Sequence, residues 1–384
     1  MPIIEGDAAP LGVYVHWPYC ARICPYCDFN IYKNRSVDAA RWRESLRRDL
    51  SYWAERTGKR PLRSLYFGGG TPSLAPLEII EGVIDACASL WGFEPGAEIT
   101  LEANPTDAEE RRFADFKRAG INRLSLGAQS FDDAALKFLG RNHDGETARR
   151  AVETSLRLFD RLTFDLIYAL PRQSAHDWRR ALRDALAIGA GHLSLYQLTI
   201  EDGTAFAKAV ERGAWTPPTD DLQANLYEIA QEETARAGLP AYEISNHARR
   251  GEESHHNLLY WTGGDYVGVG PGAHGRLSDG ARRIASETLP SPEDYLAAVD
   301  DKSCGAMRIE PLDAEAAFTE RLAMGLRLTD GIELRPAELA ALKQRRDRLA
   351  ALEADDLLHL DGAVLKASAD GRRVLNAVLA ALLA

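Results

Sequence analysis

The chain has 384 residues, 45% of them hydrophobic, enough for two domains or for one large domain with an appendage. A formal net charge of −11 argues against a general binder of nucleic acid or anionic membrane. No apolar run reaches the roughly 18 residues that span a bilayer. The opening MPIIEGDAAP carries acids and no basic apolar leader, so no signal or transit peptide is expected and a cytoplasmic, reducing compartment follows.

Short apolar runs alternate with helical patterns up to about residue 200. The pattern predicts strands at Val13–His16, Ser64–Phe67, Glu98–Leu101, Arg123–Leu126, Thr163–Ile167 and His192–Gln197. Helices are expected over 37–55, 76–90, 107–119, 132–138, 145–159 and 174–188, with Thr106 and Ser174 as caps. Alternation of this kind means a parallel sheet with right-handed crossovers. Six units fall short of a full TIM barrel, so the expected fold is α/β, a partial (β/α)6 TIM-like barrel. A doubly wound open sheet is the alternative. Either architecture binds ligands at the carboxyl ends of its strands.

Residues 1–205 are expected to form the barrel core, and 206–307 a less regular segment that completes it. Residues 308–384 read as a mostly helical, winged-helix-like domain: helices near 313–327, 335–343 and 345–354, strands Leu357–Leu360 and Val364–Ala367, then a last helix. This part carries 11 Lys and Arg against 13 Asp and Glu, so a protein-facing or substrate-covering role is expected rather than DNA contact.

Directly after the first strand come Cys20, Cys24 and Cys27, spaced C-x3-C-x2-C. Three thiolates on one loop suit three corners of a 4Fe–4S cluster and leave one iron open. A zinc site completed by His16 or Asp28, or a Cys24–Cys27 redox pair, is an alternative. A disulfide framework fits poorly with five cysteines in a long chain. Of the remaining two cysteines, Cys87 reads as packing in an apolar helix.

Other strand ends carry polar groups. Gly68-Gly69-Gly70-Thr71-Pro72 lets a backbone approach a ligand closely. Glu102 ends an apolar strand, Gln129 follows the fourth, Asp165 sits within the fifth, and Arg141 follows a short helix. Several such groups at successive strand ends point to one polar, small-molecule pocket. Gly268–His274 reads as a tight loop shaping the pocket floor.

With these motifs the chain resembles the radical S-adenosylmethionine superfamily. It is most similar to the oxygen-independent coproporphyrinogen III oxidase group. Tyr14–Cys20, Glu102–Pro105, Leu124–Phe131, Leu139–Arg141 and Asp165–Tyr168 follow that group's pattern. The true oxidases carry a fourth cysteine two residues after the third, where this chain has Phe29. Phe29, and the H-N-x-x-Y-W match at His256–Trp261, resemble the HemW-type heme chaperones instead.

The resemblance implies a 4Fe–4S cluster on Cys20, Cys24 and Cys27. It implies S-adenosyl-L-methionine held by Glu102 at its ammonium and Arg141 at its carboxylate. Gly69, Gly70 and Thr71 would add backbone and hydroxyl contacts, Gln129 and Asp165 would take the ribose, and Tyr14 and Tyr26 would line the cofactor. In the family a reduced cluster cleaves the sulfonium to a 5′-deoxyadenosyl radical. Heme would be cargo, bound by the 206–307 segment with His256 as axial donor, and passed to acceptor proteins. The expectations admit a homodimer and peripheral membrane association through acceptors, but no nucleic acid. A porphyrinogen oxidase in porphyrin biosynthesis is the alternative function.

Overall fold

The computed structural model describes residues 10–33, 36–280 and 282–383. The opening segment that bears on a leader lies, but for Pro10, outside them. Six strands run in chain order across one sheet: β1 (Leu11–Trp17), β2 (Leu62–Gly69), β3 (Phe93–Ala103), β4 (Arg123–Gln129), β5 (Arg161–Tyr168) and β6 (His192–Gln197). Every neighbouring pair is parallel. The order never reverses, so right-handed crossovers place the connecting helices on one face, as in a barrel. A doubly wound sheet would need a reversal of strand order.

Alternation within the strands separates two environments. Val13, Val15, Leu65, Phe67, Ile99, Leu101, Leu124, Leu126, Phe164 and Leu193 belong to the buried core shared with the helices. Their alternate neighbours, including Ser64, Glu98, Thr100, Arg123, Ser125, Thr163, His192 and Ser194, are buried and polar. A side-chain period of two therefore makes a greasy outer face and a polar lumen. The helix Ala39–Thr57 buries Trp42, Leu46, Leu50 and Trp53 against the outer face. The caps at Thr106 and Ser174 form, each accepting a backbone N–H three residues on. The expected helix over 107–119 is two short pieces, Asp107–Glu110 and Phe113–Arg118.

Residues 206–307 are more regular than their sequence suggests. β7 (Asn246–Ala248) pairs antiparallel with β6. β8 (Asp265–Val269) lies parallel beside β1, on its other flank. β9 (His274–Asp279), β10 (Arg282–Thr288) and β11 (Ala306–Leu312) continue antiparallel from it. Gly268 and Val269 are thus strand, and the tight turn is confined to the residues between β8 and β9. The turn does not line the cofactor-sized cavity described below. A Cβ on Gly272 would lie 2.5 Å from Asn30 Nδ2, so the turn braces the return of the cysteine loop. Helices at Asp220–Arg236, His255–Trp261 and Pro292–Lys302 complete this part.

The C-terminal stretch packs around its own core, including Phe318, Leu322, Leu342, Leu349, Leu358 and Leu365. Five described helices, Ala314–Gly325, Pro336–Lys343, Arg346–Ala354, Ala369–Arg373 and Leu375–Leu383, accompany a three-stranded antiparallel sheet of Ile332–Glu333, Val364–Ala367 and Leu358–Asp361. Among the described residues no helix is long and apolar enough to cross a membrane.

Candidate functional site

The lumen is closed at one end and open at the other. At the N-terminal end of the strands Glu98 pairs with Arg123 at 3.1 Å and Arg161 at 3.4 Å, and accepts from Ser254 Oγ at 3.1 Å. At the carboxyl end the lumen widens into a cavity of about 350 Å³. Cys20, Cys24, Cys27 and Tyr26 line one side of it; Gly69, Gly70, Thr71, Glu102, Gln129, Arg141 and Asp165 line the rest.

The cysteine loop is fastened by its neighbours. Tyr19–Cys20 pairs with Tyr32–Lys33, closing the loop on itself. Gly70 N–H donates to Trp17 O at 2.7 Å and Thr71 N–H to Tyr19 O at 2.9 Å. A Cβ on Gly70 would lie 2.7 Å from Tyr19 O, which is why glycine stands there. Gly140, at φ 70°, lets Pro25 come within 2.7 Å of where its Cβ would be, bringing Arg141 against the loop. Thr71 Oγ1 then donates to Cys20 Sγ at 3.4 Å, and Arg141 Nη1 to Cys24 Sγ at 3.3 Å.

Burial pushes the Cys20 and Cys27 thiols up, Cys27 to about 11, and their neighbouring thiols push the same way. Such thiols need a bound cation to remain thiolates. Among the described residues no three His, Cys, Asp or Glu side chains converge to share a single metal ion. His16 is in any case bonded to Tyr14 Oη at 3.2 Å and Asn30 O at 2.9 Å. In a cubane each thiolate ligates a different iron, so the three need only face one cavity, as they do.

The polar side of the cavity is under-satisfied. Gln129 Oε1, Asp165 Oδ1 and Arg141 Nε are buried without a partner. Buried polar atoms are normally paired, so three orphans around one cavity mark places for ligand atoms. Gln129 also holds φ 66° where the β4–β5 register breaks, the kind of strain that collects at binding sites. Burial lifts the Glu102 carboxyl to about 8, against a 2.8 Å bond from Tyr66 Oη and with the Asp165 charge adding to the rise. Asp165 is lifted to about 7 by the same cause, against a bond from Ser194. These residues fit a ligand with an ammonium, a carboxylate and hydroxyls.

Two expected residues stand elsewhere. Tyr14 does not line the cavity; its ring stacks on Tyr66 at 6.2 Å, beneath Glu102. His256, expected as heme's axial donor, is not placed to be one. It is 1% exposed, its Nδ1 bonded to Ser64 Oγ at 2.8 Å and its Nε2 to Tyr260 Oη at 2.7 Å. Its ring stacks on Tyr66 at 4.9 Å, so it acts as part of the lumen packing under the cavity. Burial holds its pKa down to about 3, the neutral form.

Two residues were missed. Asn104 Nδ2 donates to Thr71 Oγ1 at 3.1 Å, and its Oδ1 accepts from Arg141 Nη2, joining the glycine turn to the arginine. Tyr66 orients Glu102. Both lie on the strand-end pattern, Asn104 two residues past Glu102 and Tyr66 two before Gly68.

Residues 14–185 match the family described as the Radical SAM superfamily, and residues 312–374 the HemN C-terminal domain. The chain is 39% identical to the radical S-adenosyl methionine domain-containing protein 1, mitochondrial, of Bos taurus, over 97% of this chain and 87% of that protein. It is 37% identical to the heme chaperone HemW of Mycobacterium tuberculosis (strain H37Rv), over 97% of this chain and 95% of that protein. The heme chaperone HemW of Escherichia coli is 38% identical over 73% of each chain. In fold, the chain is similar to the Escherichia coli coproporphyrinogen III oxidase HemN, with a TM-score of 0.83 at 20% identity, covering 99% of this chain and 91% of that one. A cavity lined by three cysteines and unsatisfied polar groups, and relatives matched over nearly the whole length, agree: the chain belongs to the radical S-adenosylmethionine superfamily, in the HemW/HemN-like group.

Proposed function

We propose that the chain is a heme chaperone, binding heme and passing it to acceptor proteins, with a 4Fe–4S cluster and S-adenosyl-L-methionine as resident cofactors. The observation that carries this reading is the 37% identity to a heme chaperone over 97% of the chain. Phe29 supports it: it stands where the oxidases keep a fourth cysteine, and it is 64% exposed at the cavity. A fold shared with an oxidase at 20% identity carries no activity across.

In this reading Cys20, Cys24 and Cys27 hold the cluster. Glu102 accepts from the ammonium of S-adenosyl-L-methionine, Arg141 Nε donates to its carboxylate, and Gln129 and Asp165 meet the ribose hydroxyls. The N–H groups of Gly70 and Thr71 are already spent on the cysteine loop, so the glycine turn offers the ammonium carbonyl oxygens. A reduced cluster with this cosubstrate supplies one-electron chemistry. Tyr66 keeps Glu102 aimed, and Asn104 keeps Arg141 aimed. The five unpaired cysteines suit a reducing, cytoplasmic site of action. The C-terminal unit, without basic excess, is proposed to face acceptor proteins.

The test is anaerobic reconstitution followed by two assays on one sample. Heme titration is expected to give a saturable Soret band near one heme per chain. Incubation with coproporphyrinogen III, reductant and S-adenosyl-L-methionine is expected to give no protoporphyrinogen IX. No Soret change, or product in the second assay, would sink the proposal.

A further inference from the structure

A second cavity, of about 750 Å³, lies beside the cluster cavity, between the loop after β4 and the helices Asp133–Phe138 and Ala175–Leu186. Gln129 and Ile167 line both, so the two share a wall. Its inner surface is aromatic and aliphatic, with Phe131, Phe138, Leu166, Leu170, Trp178 and Trp215. Phe138 and Trp215 meet edge to face at 5.3 Å.

Three arginines and three aspartates, Asp132, Asp177 and Asp184, line its rim, and two of the guanidinium groups stand outside any described ion pair. Arg149 lies over the Phe131 ring at 4.9 Å, and neither it nor Arg172 has an ion-pair partner among the described residues. Arg180, on the same rim, is paired with Asp177 at 3.2 Å. Arg172 also holds φ 64°, so it and Gln129 are two of the five non-glycine residues with positive φ among those described. Backbone strain of that kind persists where the surroundings enforce it, commonly at binding sites. The volume is that of a pocket for a large organic ligand.

We infer that this cavity is the docking site for the porphyrin macrocycle of the cargo, with Arg149 and Arg172 taking its carboxylates. The inference rests on the heme-chaperone reading and deepens it by giving the cargo a place. Aromatic walls suit a flat conjugated ring. Unpaired arginines suit carboxylates better than any neutral group. No histidine, cysteine, methionine or tyrosine lines the cavity, so the lining offers the iron none of its usual side-chain donors. A carrier that must give its cargo away gains from an iron left without a strong ligand.

The experiment titrates the cluster-reconstituted full chain, by tryptophan quenching and Soret absorbance, with hemin, metal-free protoporphyrin IX and protoporphyrin IX dimethyl ester. Hemin and the metal-free ring are expected to bind within a few-fold of each other, and the ester on the order of tenfold or more weaker, the worth of a charged hydrogen bond. Arg149→Gln with Arg172→Gln is expected to weaken the two acids by that factor and to erase the difference from the ester. Ala181→Trp, at an exposed position on the lip, is expected to weaken all three probes while iron content stays at the wild-type level. Hemin binding that survives both variants unchanged, or that is not shared by the metal-free ring, overturns the site but leaves the chaperone reading standing. Absence of hemin binding by the wild type overturns both.

Discussion

A carboxyl group lifted to about 8 beside one lifted to about 7 is an unfavourable arrangement for an empty cavity and a favourable one for a cationic ligand. Glu102 is neutral in much of the folded chain at pH 7 and ionised in the unfolded chain. Its burial therefore costs nothing below its ordinary pKa of 4.5, and the cost grows as pH rises from there through about 8. Glu102→Gln keeps an acceptor for Tyr66 and removes this titration. Thermal melts of the cofactor-free chain are expected to show the variant more stable at pH 8 than wild type by about 4 kcal/mol, with the gap nearly closed at pH 4.5. The same variant should bind S-adenosyl-L-methionine at least about tenfold more weakly, because the ammonium loses a charged partner. Equal melting of the two proteins across that range would remove the pKa argument. Equal binding would remove Glu102 from the ligand. A histidine in a motif reads as a donor until its two nitrogens are seen to be occupied, as those of His256 are.

At the scale of elements, the turn after β2 and the loop after β1 form one device. The turn's N–H groups hold the loop's carbonyls, and Thr71 reaches the first cysteine. Gly70→Ala would set a methyl 2.7 Å from Tyr19 O and 2.9 Å from Trp17 O, both backbone atoms that cannot turn aside. The expected result is a chain that melts within a few degrees of wild type but retains less than half of its iron after reconstitution and desalting. Full iron content in the variant would show that the turn does not position the cysteines. This device was legible in the sequence because glycine, threonine and cysteine sit at fixed offsets from apolar strands. All six expected strands formed for the same reason, since their apolar alternate residues have a helix layer to cover. The strands β8 to β11 were not legible. β8 opens on Asp265 and holds Gly268, and β10 carries Arg282, Arg283 and Glu287, so neither reads as a buried apolar run. Their pairing partners, not their own composition, make them strands. The polar lumen escaped notice too, because Ser64, Thr100, Arg123 and Ser194 look like solvent-facing alternates until the barrel curls round them.

For the molecule as a whole, the H-N-x-x-Y-W motif joins two cores. His256 sits in the lumen under Glu102's supporting tyrosine, while Trp261, at the other end of the same helix, packs on the C-terminal core. Arg327, just past the helix Ala314–Gly325 of the C-terminal unit, lies over the Trp261 ring at 4.5 Å and donates twice to Glu243 Oε2, at 3.0 and 3.2 Å. Glu243 is buried, and its other oxygen accepts from Ser245 N–H and Asn246 Nδ2. Arg327→Leu leaves a buried carboxylate with half its partners and strips a cation from the tryptophan. Removing one side of such a pair costs about 3–5 kcal/mol when nothing else satisfies the charge, and two remaining donors bring the expectation to about 2 kcal/mol. Glu243→Gln combined with Arg327→Leu removes the stranded charge, so the double variant should regain about half of that loss. Urea unfolding followed by tryptophan fluorescence reads both. The loss is expected to reach the cofactor cavity, because the helix that anchors Trp261 also seats His256 against Tyr66. Binding of S-adenosyl-L-methionine by Arg327→Leu should therefore weaken by a few-fold, although Arg327 is not among the residues lining that cavity. Unchanged binding with reduced stability would confine the coupling to packing at the seam and cut the motif's helix out of the path to Glu102.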